Sequence, residues 1–290
     1  MRVALLTNVA AGRGTGPDRV EALLRESGAS VTVHPIDPER CEGAVEAAAR
    51  EALEAGPDRL AVAGGDGSIA PVAAHAARAG LPLAVVPTGT ANDFARGLGL
   101  PLELRDACAL AATGMRERTV DLLRAGDRPF LNAASVGLSV IAARRARPLK
   151  RALGPLAYAV GAVRAGLTAT PLRCRVATDG EPVFGGAAWQ VIVAGTGAFG
   201  GGSELEEADP SDCLVDVAVL EAGSRAALAR RAWAMRNGGL TAQRGVCHAR
   251  GVLVELELPA PTPFNVDGEI CPVAPSRFCA PGERVRVVCP

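Results

Sequence analysis

Four apolar runs, separated by stretches of helical character, fix the fold class of roughly the first 120 residues. RVALLTN (2–8), SVTVHPI (30–36), RLAVAGG (59–65) and LPLAVVPTG (81–89) are short and continuous, while DRVEALLRESG and CEGAVEAAAREALEAG carry apolar residues at helical spacing. Strands apolar on both faces that alternate with helices belong to a parallel sheet covered on both sides. Such sheets bind ligands beyond the carboxyl ends of their strands. Three of the four runs end in Gly, Asn, Thr or Asp, so the domain is built to hold something polar there.

From about residue 124 the texture changes to short β-rich runs punctuated by Gly and Pro: PFLNAASVG, RCRVATDG, AAWQVIVAGTG, LVDVAVLE, VLVELELP and RVRVVCP. They predict a second, mostly antiparallel domain, a sandwich or barrel. One helical excursion, SVIAARRARPLKRALGPLAYAVGAVRAGL, interrupts it. A length of 290 residues accommodates both domains, with boundaries at 1–123 and 124–290.

Composition removes several chemistries. Of 31 basic residues only Lys150 is lysine, and it sits in PLKRAL without a glycine framework, so a GxxxxGK[ST] nucleotide loop is excluded. The arginine excess reads as compositional bias. The eight cysteines are scattered without CxxC spacing, which gives no support to a metal cluster or a redox motif. No signal peptide and no spanning helix are expected, which makes a cytoplasmic protein with structural thiols the default. Acidic and basic residues balance at 31 each, yet residues 128–175 hold nine basic and no acidic side chains, and residues 176–224 hold nine acidic and no basic ones. The basic block, with Arg144, Arg145, Arg147, Lys150 and Arg151, is either a solvated helix face or a surface for anionic lipid headgroups. Aromatics make up only 3% of the chain and none interleaves with these arginines, so nucleic acid is not expected.

The chemistry concentrates in two loops. AVAGGDGSIAPVAAHAA runs a buried strand into Gly64, Gly65, Asp66, Gly67 and Ser68 and then into an Ala-rich helix. Glycines let backbone N–H groups approach phosphate oxygens, and the helix start adds a positive dipole end. Asp66 would repel phosphate unless it acts through Mg²⁺ or orients donors. The next strand ends in Val86-Pro87-Thr88-Gly89-Thr90-Ala91-Asn92-Asp93, whose polar groups share the same sheet edge.

GGDGS followed some twenty residues later by GTANDFARGLGLP resembles the diacylglycerol kinase catalytic domain family, which includes sphingosine, ceramide and bacterial soluble lipid kinases. NVAAGRG (8–14), TVDLLRAG, FLNAASVG and NVDGE are similar to further motifs of that family. The resemblance implies an ATP-binding α/β domain and a β-rich lipid-substrate domain with the active site in the cleft between them. Asn8, Val9, Ala10, Ala11, Gly12, Gly64 to Ala70 (Ile69 included), Thr88, Gly89, Thr90 and Asn92 would line the nucleotide. Asp66, Asp93 and Asp121 would form a carboxylate and water network near Mg²⁺. Asp267 and Glu269 would supply the general base, with Asp267 slightly preferred. It further implies a lipid alcohol substrate such as diacylglycerol, peripheral contact with an anionic membrane surface and a place in phospholipid biosynthesis, with homodimerisation left open.

Bacterial members also resemble PxAxxxDGxLDV where a structural Mg²⁺ is held by an Asp side chain and backbone carbonyls. This chain reads EEADPSDCLVDV: Asp209, Asp212 and Leu214 fill the ligand positions, while Cys213 replaces the glycine and Glu206 the proline. Gly195 to Gly200 fits GxGxxG, but no amphipathic helix follows, which argues against a dinucleotide fold. The competing functions are an NAD kinase or other small-molecule kinase, and a non-catalytic nucleotide or lipid binder.

Overall fold

The computed structural model describes residues 1–8, 16–36, 43–146, 166, 168–200, 202–280 and 282–290, which divide into two compact units. One comprises Met1–Leu122 with Gly282–Pro290, the other Leu123–Pro281.

The first unit is an α/β layer structure. Its strands are β1 (Arg2–Asn8), β2 (Ser30–Ile36), β3 (Arg59–Gly64), β4 (Leu83–Pro87) and β5 (Arg116–Asp121), joined by the C-terminal strand Arg284–Cys289. The sheet order is β2, β1, β3, β4, C-terminal strand, β5, and β1 to β4 pair in parallel. Its helices are α1 (Pro17–Glu26), α2 (Ala44–Glu54), α3 (Asp66–Ala79), α4 (Asp93–Gly97) and α5 (Leu104–Thr113). The central strands β3 and β4 are buried throughout, as the continuous apolar runs require. In α1, Pro17 presets the first turn, Asp18 complements the helix dipole, and Val20, Leu23 and Leu24 bury one face. That face packs with Val3 and Leu5 of β1 and with Ala107, Cys108, Ala111 and Ala112 of α5. Each fully buried leucine contributes roughly 2 kcal/mol.

At the start of β3, Arg59 is buried, and its guanidinium donates to the Ala111 carbonyl at 3.0 Å and the Gly114 carbonyl at 2.7 Å. Carbonyls at the end of α5 thereby find donors that the helix cannot supply itself. Burial lowers the proton affinity of this guanidinium, and the carbonyl oxygens around it are what a buried cation needs.

The second unit is an antiparallel sheet of eleven strands. The chain enters through β6 (Leu123–Ala125), β7 (Arg128–Phe130), β8 (Ala133–Gly137) and helix α6 (Leu138–Ala146). It continues through β9 (Leu172–Thr178), β10 (Glu181–Ala194), the short pair β11 (Ala198–Phe199) and β12 (Ser203–Glu204), β13 (Val215–Glu221) and helix α7 (Arg225–Asn237). The last strands are β14 (Val246–Gly251), β15 (Leu253–Glu257), β16 (Phe264–Val266), β17 (Glu269–Cys271) and β18 (Arg277–Cys279). Alternate valines of β8, β9, β10 and β13 meet Phe130 and Phe278 in one core, the two rings edge to face at 6.5 Å. The basic stretch 147–165 lies outside the described residues, and no helix among the described ones is long and apolar enough to cross a membrane.

The parallel α/β first domain and the antiparallel β-rich second one stand as expected, with one correction to where a strand belongs. RVRVVCP, read as part of the β-rich domain, pairs antiparallel with β5 along its whole length and touches β4 at Val287 and Leu83. Its alternation announces a half-buried strand but carries no information about which sheet receives it. Val285, Val287 and Val288 are fully buried there. The GxGxxG segment enters no helix: it joins β10 to β11, and a Cβ on Gly195 would sit 2.6 Å from the Leu131 carbonyl oxygen. Its first glycine is a packing requirement. Burial pushes the Cys108 and Cys174 thiols up to about 11, in keeping with structural cysteines.

Truncating Val287 tests the C-terminal strand. Val287→Ala is expected to cost about 2 kcal/mol, read by hydrogen exchange as faster opening of β4 and β5 amides with β9 and β10 unaffected; protection lost in the second unit instead would contradict this assignment.

Candidate active site

In the first unit the two glycine loops form one substructure. β3 ends at Gly64, Gly65 is the extended N-cap of α3 (φ −92°, ψ 178°), and no side chain caps that helix. First-turn N–H groups and the positive dipole end are therefore offered to an incoming anion. The neighbouring loop packs against this one backbone to backbone. A Cβ on Gly89 would lie 2.5 Å from the Gly65 Cα, and one on Gly64 would lie 2.8 Å from the Ser68 Cβ. Glycine is thus imposed at 64 and 89 by contact. Thr88 N–H donates to the Gly64 carbonyl at 3.0 Å, and Ser68 N–H to the Gly65 carbonyl at 2.9 Å. Asn92 adopts the left-handed conformation (φ 53°, ψ 43°), and its Oδ1 accepts the Gly89 N–H at 2.9 Å.

Asp66 ties the loops together. Its Oδ1 accepts the Phe94 N–H at 2.9 Å, so the first residue of α3 satisfies a donor in the first turn of α4. Asp93 begins α4 and is buried. Gly64, Gly65, Asp66, Gly67, Ser68, Thr88, Gly89, Thr90, Asn92 and Asp93 accordingly belong to one pair of adjoining loops. Ile69 and Ala70 point into the core, each 2% exposed, which leaves only their backbone for a ligand. Asn8 closes β1, while Val9, Ala10, Ala11 and Gly12 lie outside the described residues.

Asp121 ends β5 opposite Arg284, whose Nε donates to Asp121 Oδ1 at 2.8 Å. Among the described residues no three His, Cys, Asp or Glu side chains converge closely enough to hold a metal by themselves. Mg²⁺ commonly takes only one or two carboxylates and completes its shell with water and substrate phosphates, so this leaves the carboxylate and water network expected of Asp66, Asp93 and Asp121 untouched.

In the second unit, Asp267 and Glu269 meet opposite circumstances. Asp267 is left-handed (φ 44°) and buried; its Oδ2 accepts Leu131 N–H at 2.9 Å, and its Oδ1 accepts Asn132 and Ala133 N–H at 2.9 and 3.1 Å. Both oxygens of this carboxylate are therefore committed to backbone amide donors. The FLNA and DGE motifs are thus two halves of one turn lock. Glu269, beyond Gly268, has a side chain 53% exposed and pairs through Oε2 with Arg128 Nη2. Burial opposes the Arg128 charge, but the hydrogen bond and negative charge of Glu269 outweigh it and raise the guanidinium's proton affinity. Arg128 also reaches Cys271 Sγ at 3.2 Å. Nothing in the sequence singles out Arg128 or Arg284, each one arginine among thirty.

The remaining expected ligands lie in the loop before β13. Asp209 Oδ1 accepts Ser211 N–H and Asp212 Oδ1 accepts Leu214 N–H, both at 3.0 Å. Asp212 Oδ2 is paired with Arg250 Nη2 at 2.5 Å.

Comparison with known proteins gives consistent matches in both units. The family model of the diacylglycerol kinase catalytic domain matches residues 2–125, and that of the YegS C-terminal NAD kinase beta sandwich-like domain matches residues 132–289. A protein of Pseudomonas putida named probable lipid kinase YegS-like is 35% identical over 240 residues, covering 79% of this chain and 76% of its own. Its namesake in Pseudomonas aeruginosa is 30% identical over 292 residues, covering 96% and 92%. The solved structure of a putative diacylglycerol kinase from Bacillus anthracis shares the fold, with TM-score 0.77 at 21% identity over 100% of this chain and 97% of that one.

The unequal settings of the two DGE carboxylates have a measurable consequence. Asp267→Asn places an amide against three N–H donors and is expected to lower the unfolding free energy by about 3 kcal/mol, whereas Glu269→Gln breaks a half-exposed ion pair and should change it by about 0.5 kcal/mol or less. Urea denaturation of both variants decides it; equal losses would mean that the lock is not at Asp267.

Proposed function

We propose, since the chain belongs to the diacylglycerol kinase catalytic domain family, that it is a lipid kinase transferring the γ-phosphate of ATP to the hydroxyl of a lipid alcohol such as diacylglycerol. The observation that carries this reading is the backbone contact of Gly65 with Gly89 beside the uncapped start of α3. Side chains are kept out of that junction, and phosphate oxygens can reach backbone N–H groups. Gly64 to Ser68, Thr88 to Thr90 and Asn92 are assigned to the nucleotide, with the segment after Asn8. Mg²⁺, when bound with the nucleotide, supplies charge neutralisation as the phosphoryl group leaves. Asp66 and Asp93 are the carboxylates assigned to it. Asp121, paired with Arg284, is given no ligand role.

The acceptor hydroxyl must lose its proton as the phosphorus is attacked. Glu269 is assigned that task in place of Asp267, because the Asp267 oxygens are engaged by three amides while Glu269 is half exposed. Arg128 engages Oε2 and orients the carboxylate, with Oε1 assigned to take the proton.

Peripheral contact with an anionic bilayer is assigned to α7 as well as to the basic stretch after α6. Ala226, Ala229, Arg230 and Trp233 form an outward stripe of α7, the indole is 67% exposed, and the helix holds no acidic residue. A tryptophan flanked by arginines suits the headgroup region. Arg144 and Arg145 of α6 carry the same charge.

Purified protein incubated with labelled ATP, Mg²⁺ and mixed micelles of lipid alcohols, with NAD in a parallel tube, is expected to yield labelled phospholipid; label in NADP instead would overturn the acceptor class. Glu269→Gln should reduce kcat by about 10²- to 10⁴-fold without loss of stability, and full activity would remove it as base. Asp66→Asn keeps an oxygen for Phe94 N–H, so inactivity there assigns Asp66 a charge role and wild-type turnover reduces it to a loop tie. In vesicle sedimentation with phosphatidylglycerol, the pair Trp233→Ala and Arg230→Glu should weaken binding about tenfold; unaltered binding would exclude α7.

A further inference from the structure

Family resemblance places a divalent cation in the loop that leads into β13, and the residues present do not suit one. We infer that a guanidinium has taken the cation's position, so that this loop is held by Arg250 and needs no metal. One nitrogen, Arg250 Nη2, lies 2.5 Å from Asp212 Oδ2, 3.3 Å from the Glu207 carbonyl oxygen and 3.4 Å from Asp216 Oδ2. Two carboxylates and a backbone carbonyl are the ligand types that a hard divalent ion takes. Here they surround a protein cation.

Strand register delivers that cation. Arg250 of β14 stands directly opposite Asp216 of β13, so its side chain leans back over the loop that ends at Leu214. Asp216 is 1% exposed, and its second oxygen meets His248 Nε2 at 2.7 Å. A carboxylate buried this deeply requires compensating donors, and Arg250 and His248 supply them from one strand.

The remaining groups turn away from a metal. Asp212 Oδ1 is committed to Leu214 N–H. Asp209 Oδ1 is committed to Ser211 N–H. Glu206 accepts Gly239 N–H at 2.7 Å beyond the end of α7. Cys213 holds a left-handed conformation (φ 62°) at the place where the resembling motif has glycine. A β-carbon there is tolerated only when its surroundings over-determine the turn, and the Asp212 bonds on either side of it do so. A divalent ion placed among the same oxygens would sit beside the guanidinium and be repelled by it.

The test uses full-length, nucleotide-free protein, so that no ion enters with a substrate. Dialysis against EDTA followed by elemental analysis is expected to leave no stoichiometric magnesium or calcium, with the same thermal midpoint in EDTA as in excess MgCl2 or CaCl2. A retained divalent ion, or a midpoint that falls in EDTA, would overturn the inference. Arg250→Met should lower the midpoint and make it respond to MgCl2 or CaCl2 but not to KCl; a variant as stable as the wild type would likewise overturn it. If Arg250→Met does not fold, Arg250→Lys keeps the charge and is expected to fold with an intermediate midpoint, while the wild-type measurements stand alone. None of these outcomes depends on the acceptor or on the kinase reading, because no substrate is present.

Discussion

Gly65 and Gly89 approach so closely that a single added β-carbon would strike the opposite backbone. That contact ties the ends of β3 and β4 into one surface made of peptide groups. Its consequences spread outward. Asn92 must turn left-handed to bring its amide onto Gly89, and α4 then starts where its Phe94 N–H meets Asp66. An acidic residue inside a glycine-rich loop becomes intelligible on this basis: Asp66 is anchored through Oδ1 to the Phe94 N–H of the neighbouring loop.

Two carboxylates separated by one glycine in the second unit divide their work by the same logic. The turn at Asp267 and Gly268 needs two consecutive residues of positive φ (44° and 86°), and three amides from the FLNA segment stabilise it through the Asp267 carboxylate. Glu269 opens β17, is half exposed and pairs with Arg128, the access that the base proposed for this site requires. In both units an aspartate of the motif accepts backbone N–H groups from a distant segment, Phe94 at Asp66 and Leu131 to Ala133 at Asp267.

The sequence made two parallel strands legible to the residue, RVALLTN as β1 and SVTVHPI as β2, while the runs read at 59–65 and 81–89 exceed β3 and β4 by one to four residues. Continuous apolar runs in a two-sided sheet leave little freedom in where a strand starts or stops. The glycine loops were legible too, because an added β-carbon would collide with the Gly65 backbone at Gly89 and with the Ser68 side chain at Gly64. Partnership was not legible. RVRVVCP announced a strand without announcing its sheet, and the different surroundings of Asp267 and Glu269 come from amides more than 130 residues away. Arg128, Arg250 and Arg284 left no trace, since an ion-pair partner can be any cation that the register brings opposite.

The register, however, brought arginine each time, and geometry accounts for why lysine would not serve. Arg59 spans the Ala111 and Gly114 carbonyls, and Arg231 spans the Glu221 and Arg244 carbonyls. Arg128 reaches a carboxylate and a thiol with two different nitrogens, and Arg250 gathers two carboxylates and a carbonyl. Arg59, Arg231 and Arg128 each use directed donors on two or more nitrogens of a planar fork, whereas Arg250 makes its contacts through Nη2. An ammonium at the same positions is more strongly hydrated, less directional, and readily loses its proton when buried. Compositional bias toward arginine fills solvent-facing positions as well, but at Arg59, Arg231 and Arg128 a lysine would leave acceptors unmatched, because each of these side chains reaches its partners with more than one nitrogen.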